Sequence, residues 1–164
     1  MKKKVLIIIL ILTLAFIWGQ SMLPKSVSAA ESGGMLAFLR PFLEIFVGEG
    51  NATDHLVRKI AHFVEYGALG AELALLIVAG WIANAKRKAN EGATLTAEIM
   101  SLSIWARALI GLLFAFTVAA IDETIQIFSA RGPGIADVLL DTAGAATAVL
   151  ITTILCAIRK KDKL

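Results

Sequence analysis

Cysteine occurs once, at Cys156, so the chain can close no disulfide within itself and can build no thiolate zinc centre. Histidine occurs twice, and no H-E-x-x-H pair is present, which removes the usual helical zinc-hydrolase signature. Charged residues make up only 18% of the chain, too few for a solvated surface of ordinary density. The net charge of +3 comes without a basic-aromatic surface or a nucleic-acid motif, so nucleic acid is not an expected partner. There is no inverted repeat and no line of charge crossing the apolar runs, which argues against transport. What remains is a chain of 164 residues that is 58% hydrophobic, with a mean hydropathy of +0.79. The apolar residues fall in long blocks, and that pattern defines an integral membrane protein rather than a soluble domain with a large core.

Four blocks are long enough to consider as spans: about 5–23, 60–84, 104–128 and 135–158. Lipid offers the backbone no partners, so each is expected to be helical. Together they predict an all-α bundle of four transmembrane helices forming a single domain over 1–164. Lys2-Lys3-Lys4, Lys86-Arg87-Lys88 and Arg159-Lys160-Lys161 fall on one side of that topology. By the positive-inside rule this side is cytoplasmic, with both termini inside the cell membrane. Trp18, Trp81 and Trp105 stand near span ends, where aromatic belts form. The first segment has some features of a secretory leader, but the distance from Trp18 to the small-residue site at Ser28-Ala29-Ala30 is long for cleavage. A retained first helix is expected.

Between the first two spans, 35–47 places Met35, Phe38, Leu39, Phe42 and Phe46 at helical spacing, with Arg40 and Glu44 opposite. This is the pattern of a short amphipathic helix in the membrane interface, interrupted or restarted at Pro41. The polar stretch from Ala85 to Ser103 is expected to be a cytoplasmic connector.

The few charges inside the spans are not scattered. Arg58, Lys59, His62 and Glu65 open the second span, Asp122, Glu123 and Gln126 close the third, and Asp137 and Asp141 open the fourth. At about 1.5 Å per residue, His62 lies roughly 6 Å and Glu65 roughly 10 Å below Arg58. Three segments therefore bring polar groups to the same depth, at the outer end. Ionisable groups in a membrane are costly and mark a site or a paired network. Gly144 continues the stripe of Asp137 and Asp141, where it would let a neighbouring helix approach closely. Arg131, in the turn between the last two spans, can reach these carboxylates. Glu72 stands deeper, and a hydroxyl such as that of Thr147 is its expected partner.

Arg58-Lys59-x-x-His62-Phe63-x-Glu65-Tyr66, then Asp122-Glu123-x-x-Gln126-x-Phe128-x-x-Arg131, then Asp137-Val138 with Gly144 resemble the motifs of VanZ-like membrane proteins. Ser21-x-x-Pro24 is similar to that family's early motif, so the resemblance covers nearly the whole chain. Asp141 departs from it, standing where the family pattern leads to asparagine and adding a carboxylate. The resemblance implies a small bacterial cell-envelope protein, in a family whose founding member is associated with low-level teicoplanin resistance.

These features support one principal expectation and two alternatives. The principal one is a protein acting at the outer leaflet, conferring tolerance to teicoplanin-type glycopeptide or lipoglycopeptide antibiotics through an outward-facing polar pocket. One alternative is an enzyme acting on a lipid-linked envelope precursor, with His62, Glu65, Asp122 and Glu123 as acid/base candidates. Arg58, Lys59 and Arg131 would then hold a phosphate, while Ser21, Tyr66, Gln126, Asp137 and Asp141 complete the binding surface. The other alternative is a binder of lipid headgroups or antibiotic in which the charges form interhelical salt bridges. No cofactor is expected. A divalent metal on His62, Glu65, Asp122 and Glu123 has suitable ligand types but only one histidine to anchor it.

Overall fold

The computed structural model describes residues 3–79, 102–129 and 134–161. Among the described residues it is all-helical: α1 (Lys3–Ser21), α2 (Lys25–Val47), α3 (Asp54–Leu73), a π-helical continuation (Ala74–Ala79), α4 (Ile104–Phe128) and α5 (Ile135–Lys161). Four stretches are long and apolar enough to cross a membrane: Lys4–Ser21, Asp54–Ile77, Ile104–Phe128 and Ile135–Cys156. The chain is a multi-pass membrane protein. The Lys86-Arg87-Lys88 cluster, Trp81 and Arg131 lie outside the described residues.

Local chemistry sets the helix ends. The fixed φ of Pro24 (−55°) starts α2. Thr53 caps α3 by accepting from the Leu56 N–H (3.2 Å), and Ser103 caps α4 by accepting from the Ala106 N–H (3.1 Å). Helix α2 stops at Gly48, whose φ of +88° favours glycine. Its N–H donates to Glu44 O (3.0 Å), and Asn51 Nδ2 donates to Val47 O (2.9 Å). The turn into α3 is thereby closed.

Helix α2 begins ten residues before the amphipathic segment at 35–47 and runs through Pro41 without a break. Its buried stripe is Ser28, Ser32 and Leu43, with Leu36 and Leu39 partly buried beside them. Met35, Phe38, Phe42 and Phe46 are exposed instead, Phe38 at 80%. The apolar periodicity therefore identifies the face turned away from the protein, as suits a helix whose surroundings are lipid.

In the bundle, Ile17, Tyr66, Leu69, Leu73, Ala115, Val118, Ala119 and Ala145 form the main buried cluster. Helices α3 and α5 make the closest pair. A Cβ on Gly144 would collide with Phe63 O, and one on Gly70 would collide with Ala145 O. Backbone meets backbone at both points, as small residues permit between membrane helices. Glu72 does find a hydroxyl, but on α1: Thr13 Oγ1 donates to its Oε1 at 2.8 Å. Thr147 instead donates to Ala143 O of its own helix (2.8 Å). A half-buried carboxylate between helices takes the hydroxyl that faces it, and Thr147 is exposed.

Candidate functional site

The end of α1, the starts of α3 and α5 and the end of α4 meet at one end of the bundle. Ser129 Oγ, just past α4, donates to Ser21 O at the end of α1 (2.7 Å). Gly134 N–H, just before α5, donates to Glu123 Oε2 on α4 (2.8 Å). The close α3–α5 approach then brings His62 opposite Asp141. His62 Nδ1 is 3.6 Å from Asp141 Oδ1, beyond hydrogen-bond length.

The charged residues at this end divide into two groups. Lys59 Nζ lies 3.6 Å from Asp137 Oδ1, linking α3 to α5, and Arg58 Nη2 lies 3.8 Å from Asp54 Oδ2 on its own helix. Gln126 Nε2 donates to both Asp122 Oδ2 (3.1 Å) and Glu123 Oε1 (3.0 Å). Both Glu123 oxygens are thus engaged, and its role in the fold is to tie the α4–α5 turn to α4.

The second group is buried and uncommitted. Asp122 and Asp141 are both 0% exposed. Asp122 Oδ1, both Asp141 oxygens, His62 Nδ1, Tyr66 OH and Ser21 Oγ have no hydrogen-bond partner among the described residues. The Ser21 hydroxyl lies beside the Asp122 carboxylate, and Tyr66 sits near both aspartates. Neither aspartate has a lysine or arginine within ion-pair distance among the described residues. Leaving buried polar groups unpaired costs about 1–3 kcal/mol each, and more when they are charged. Their concentration at one place makes this end of the bundle the candidate site.

Two cavities adjoin His62. The first, about 210 Å³, is lined by the cations Lys25, Arg58 and Lys59 and by the carboxylates of Glu123, Asp137 and Asp141. The second, about 280 Å³, lies under α2 and is lined by Ser28, Ser32, Glu65 and Ala61 among others. His62 and Arg58 border both.

The fold therefore assembles Ser21, His62, Tyr66, Asp122 and Asp141 into one interior group. Arg58, Lys59, Gln126 and Asp137 stand around the first cavity, and Glu65 faces the second. Arg131 lies outside the described residues. Lys25 and His55 belong to none of the motifs in the sequence, yet both line the first cavity. The signal for Lys25 was available: Pro24 is a helix-start residue, and a helix beginning there places Lys25 in the first turn over the site.

A small, multi-pass helical membrane protein with a buried histidine–carboxylate group at one end of its bundle is the class these observations define. The VanZ/LLP1 family model matches residues 5–156, and the chain belongs to that family. No curated protein and no solved structure matches it.

Proposed function

We propose that this protein works at the outer leaflet of a bacterial cell membrane, with both termini cytoplasmic. Its cavity receives the anionic headgroup of a lipid-linked envelope precursor, and the consequence is tolerance to teicoplanin-type glycopeptides and lipoglycopeptides. The lysine and arginine clusters at 2–4, 86–88 and 159–161 support the orientation, because in a four-pass topology they share the side opposite the polar ends of the spans. One observation carries the ligand class: Lys25, Arg58 and Lys59 all line the cavity at this end of the bundle. Cations at that depth suit a phosphate or pyrophosphate carried by a lipid. A teicoplanin-type antibiotic has a lipid tail and works on such precursors, so a protein occupying or altering them in the outer leaflet would blunt it.

A second reading, turnover of the bound precursor, is favoured by the unpartnered atoms of Ser21, Tyr66, Asp122 and Asp141. A binder has no need to leave its interior polar atoms unsatisfied. In that reading His62 and the neighbouring carboxylates supply acid/base chemistry.

The test is expression of the chain in a glycopeptide-susceptible host. Susceptibility to teicoplanin and vancomycin is measured alongside mass spectrometry of lipid-linked precursors. The expected result is reduced susceptibility to teicoplanin that is lost in Lys59→Ala and His62→Ala variants present at wild-type membrane levels. A change in precursor mass identifies an enzyme, and unchanged mass with the phenotype intact identifies a binder. Unaltered susceptibility with unaltered precursors refutes the proposal.

A further inference from the structure

We infer that His62, Asp122 and Asp141 form a binding site for one divalent cation of the zinc or manganese type. The three residues come from three helices, α3, α4 and α5, and each offers a ligand atom within 4.8 Å of the others. Nitrogen and carboxylate oxygen at about 2.0–2.2 Å from an ion stand about 3.3–3.6 Å apart at tetrahedral angles. The His62 Nδ1 to Asp141 Oδ1 separation of 3.6 Å already fits that edge. From separations of at most 4.8 Å, Asp122 has to close by no more than about 1.5 Å, within the reach of a side-chain torsion.

Three further observations point to a cation rather than to a simple polar cluster. First, both aspartates are fully buried, and Asp122 Oδ1 with both Asp141 oxygens is unpartnered among the described residues. Second, their two negative charges meet no lysine or arginine at ion-pair distance among the described residues, so a dipositive ion would balance them. Third, an outer layer is in place: Gln126 Nε2 holds Asp122 Oδ2 at 3.1 Å and leaves Oδ1 without a hydrogen-bond partner among the described residues. Such supporting bonds orient metal-binding carboxylates and imidazoles.

The sequence offers Glu65 and Glu123 as ligand types as well, but the fold directs them elsewhere. Glu123 is engaged by Gln126 and Gly134, and Glu65 faces the second cavity. Three protein ligands leave at least one coordination position open. Two of the three ligands, His62 and Asp141, also line the first cavity. An ion held there would take a water or a phosphate oxygen of the cavity's occupant as its remaining ligand. The site goes beyond the proposed role at the envelope, since it exists whatever the cavity receives.

The test uses the full chain purified in detergent and stripped with chelator, then titrated with Zn²⁺, Mn²⁺ and Mg²⁺ by calorimetry. Thermal unfolding is followed with and without each ion, and Co²⁺ absorption reports the ligand geometry. The expected result is one equivalent of Zn²⁺ or Mn²⁺ bound, with a higher unfolding temperature. Asp141→Asn and Asp122→Asn should lose binding, Gln126→Ala should weaken it about 10–100-fold, and Glu44→Gln should match wild type. Without metal, Asp141→Asn should unfold at the same or a higher temperature than wild type, because a buried charge is gone. This crossing separates ligand loss from misfolding. If either aspartate variant fails to fold, the wild-type stoichiometry and the Co²⁺ spectrum decide instead. The inference is overturned if the wild type binds none of these ions below millimolar concentrations, or if folded Asp122→Asn and Asp141→Asn bind them as tightly as wild type. None of these readouts depends on antibiotic susceptibility, so the metal site and the envelope role can fail separately.

Discussion

Replacing Gly70 with alanine tests the contact that brings His62 to Asp141. The new Cβ would stand 2.7 Å from Ala145 Cα and 2.9 Å from Ala145 C. Carbon atoms in contact prefer about 3.5–4.0 Å, so the two helices must part locally by roughly 0.6–1.3 Å. Both partners are backbone, and no side chain can rotate away. Overpacking of this kind costs about 1–3 kcal/mol. Alanine returns up to about 1 kcal/mol of helix propensity, leaving a net loss of about 0–2 kcal/mol. Gly34 on α2 provides the contrast, because a Cβ there meets nothing within 4 Å. Gly34→Ala should therefore gain up to about 1 kcal/mol. Reversible unfolding in mixed micelles compares the two, and the expected separation is about 1–3 kcal/mol in favour of Gly34→Ala. Gly144→Ala, three residues beyond Asp141 and against Phe63, should also diminish any activity of the site by widening the His62–Asp141 gap of 3.6 Å. If Gly70→Ala is as stable as Gly34→Ala, the close approach of α3 and α5 is wrong, and the assembly of the site falls with it.

Three other outcomes follow from the same geometry. Lys59→Met should lower stability by no more than about 1 kcal/mol, since its pair with Asp137 is 38% exposed on each side, yet it should weaken any headgroup-dependent phenotype. Thr13→Val should cost about 1 kcal/mol by removing the donor to Glu72, whereas Thr147→Val should be neutral; chemical unfolding of both variants checks the assignment. A spin label replacing Phe38 should be relaxed by lipid-soluble oxygen more than by an aqueous nickel complex, because that side chain is 80% exposed on the apolar face of α2.

The spans were legible because lipid demands long apolar helices, and 104–128 was read with the bounds that α4 has. The first half of α2 was not. Its residues Lys25 to Gly34 include three serines and two adjacent glycines, so neither propensity nor periodicity announces a helix. Tertiary contact supplies what local preference lacks, since Ser28 and Ser32 are buried on the protein-facing stripe. The motif residues were legible as a group because they share a depth. Which of them would be engaged could not be read, because that depends on backbone groups brought in by the fold. Gly134 N–H decides the role of Glu123, and Phe63 against Gly144 decides that His62 meets Asp141.

Adjacent carboxylates make that distinction measurable. Asp122 and Glu123 share a helical turn, a motif and the same donor in Gln126, so sequence offers no reason to treat them differently. The structure separates them by their second oxygen. Glu123 Oε2 accepts from Gly134 N–H at 2.8 Å, while Asp122 Oδ1 has no partner among the described residues. Glu123→Gln must then set an amide NH₂ against either Gly134 N–H or Gln126 Nε2, and in both orientations two donors oppose each other. The loss of a charged acceptor in a part-buried place should cost about 1.5–3 kcal/mol. Asp122→Asn can keep its oxygen toward Gln126 and turn its NH₂ toward the unpartnered Asp141. It removes a buried charge and adds a bond, so in metal-free conditions stability should hold or rise. Any function of the site should nevertheless be lost. Equal destabilisation by the two substitutions would mean that both carboxylates serve only to hold the helices together. Opposite signs would mean that a bundle of this size carries more charge than its architecture uses, with the excess at Asp122, Asp141 and His62.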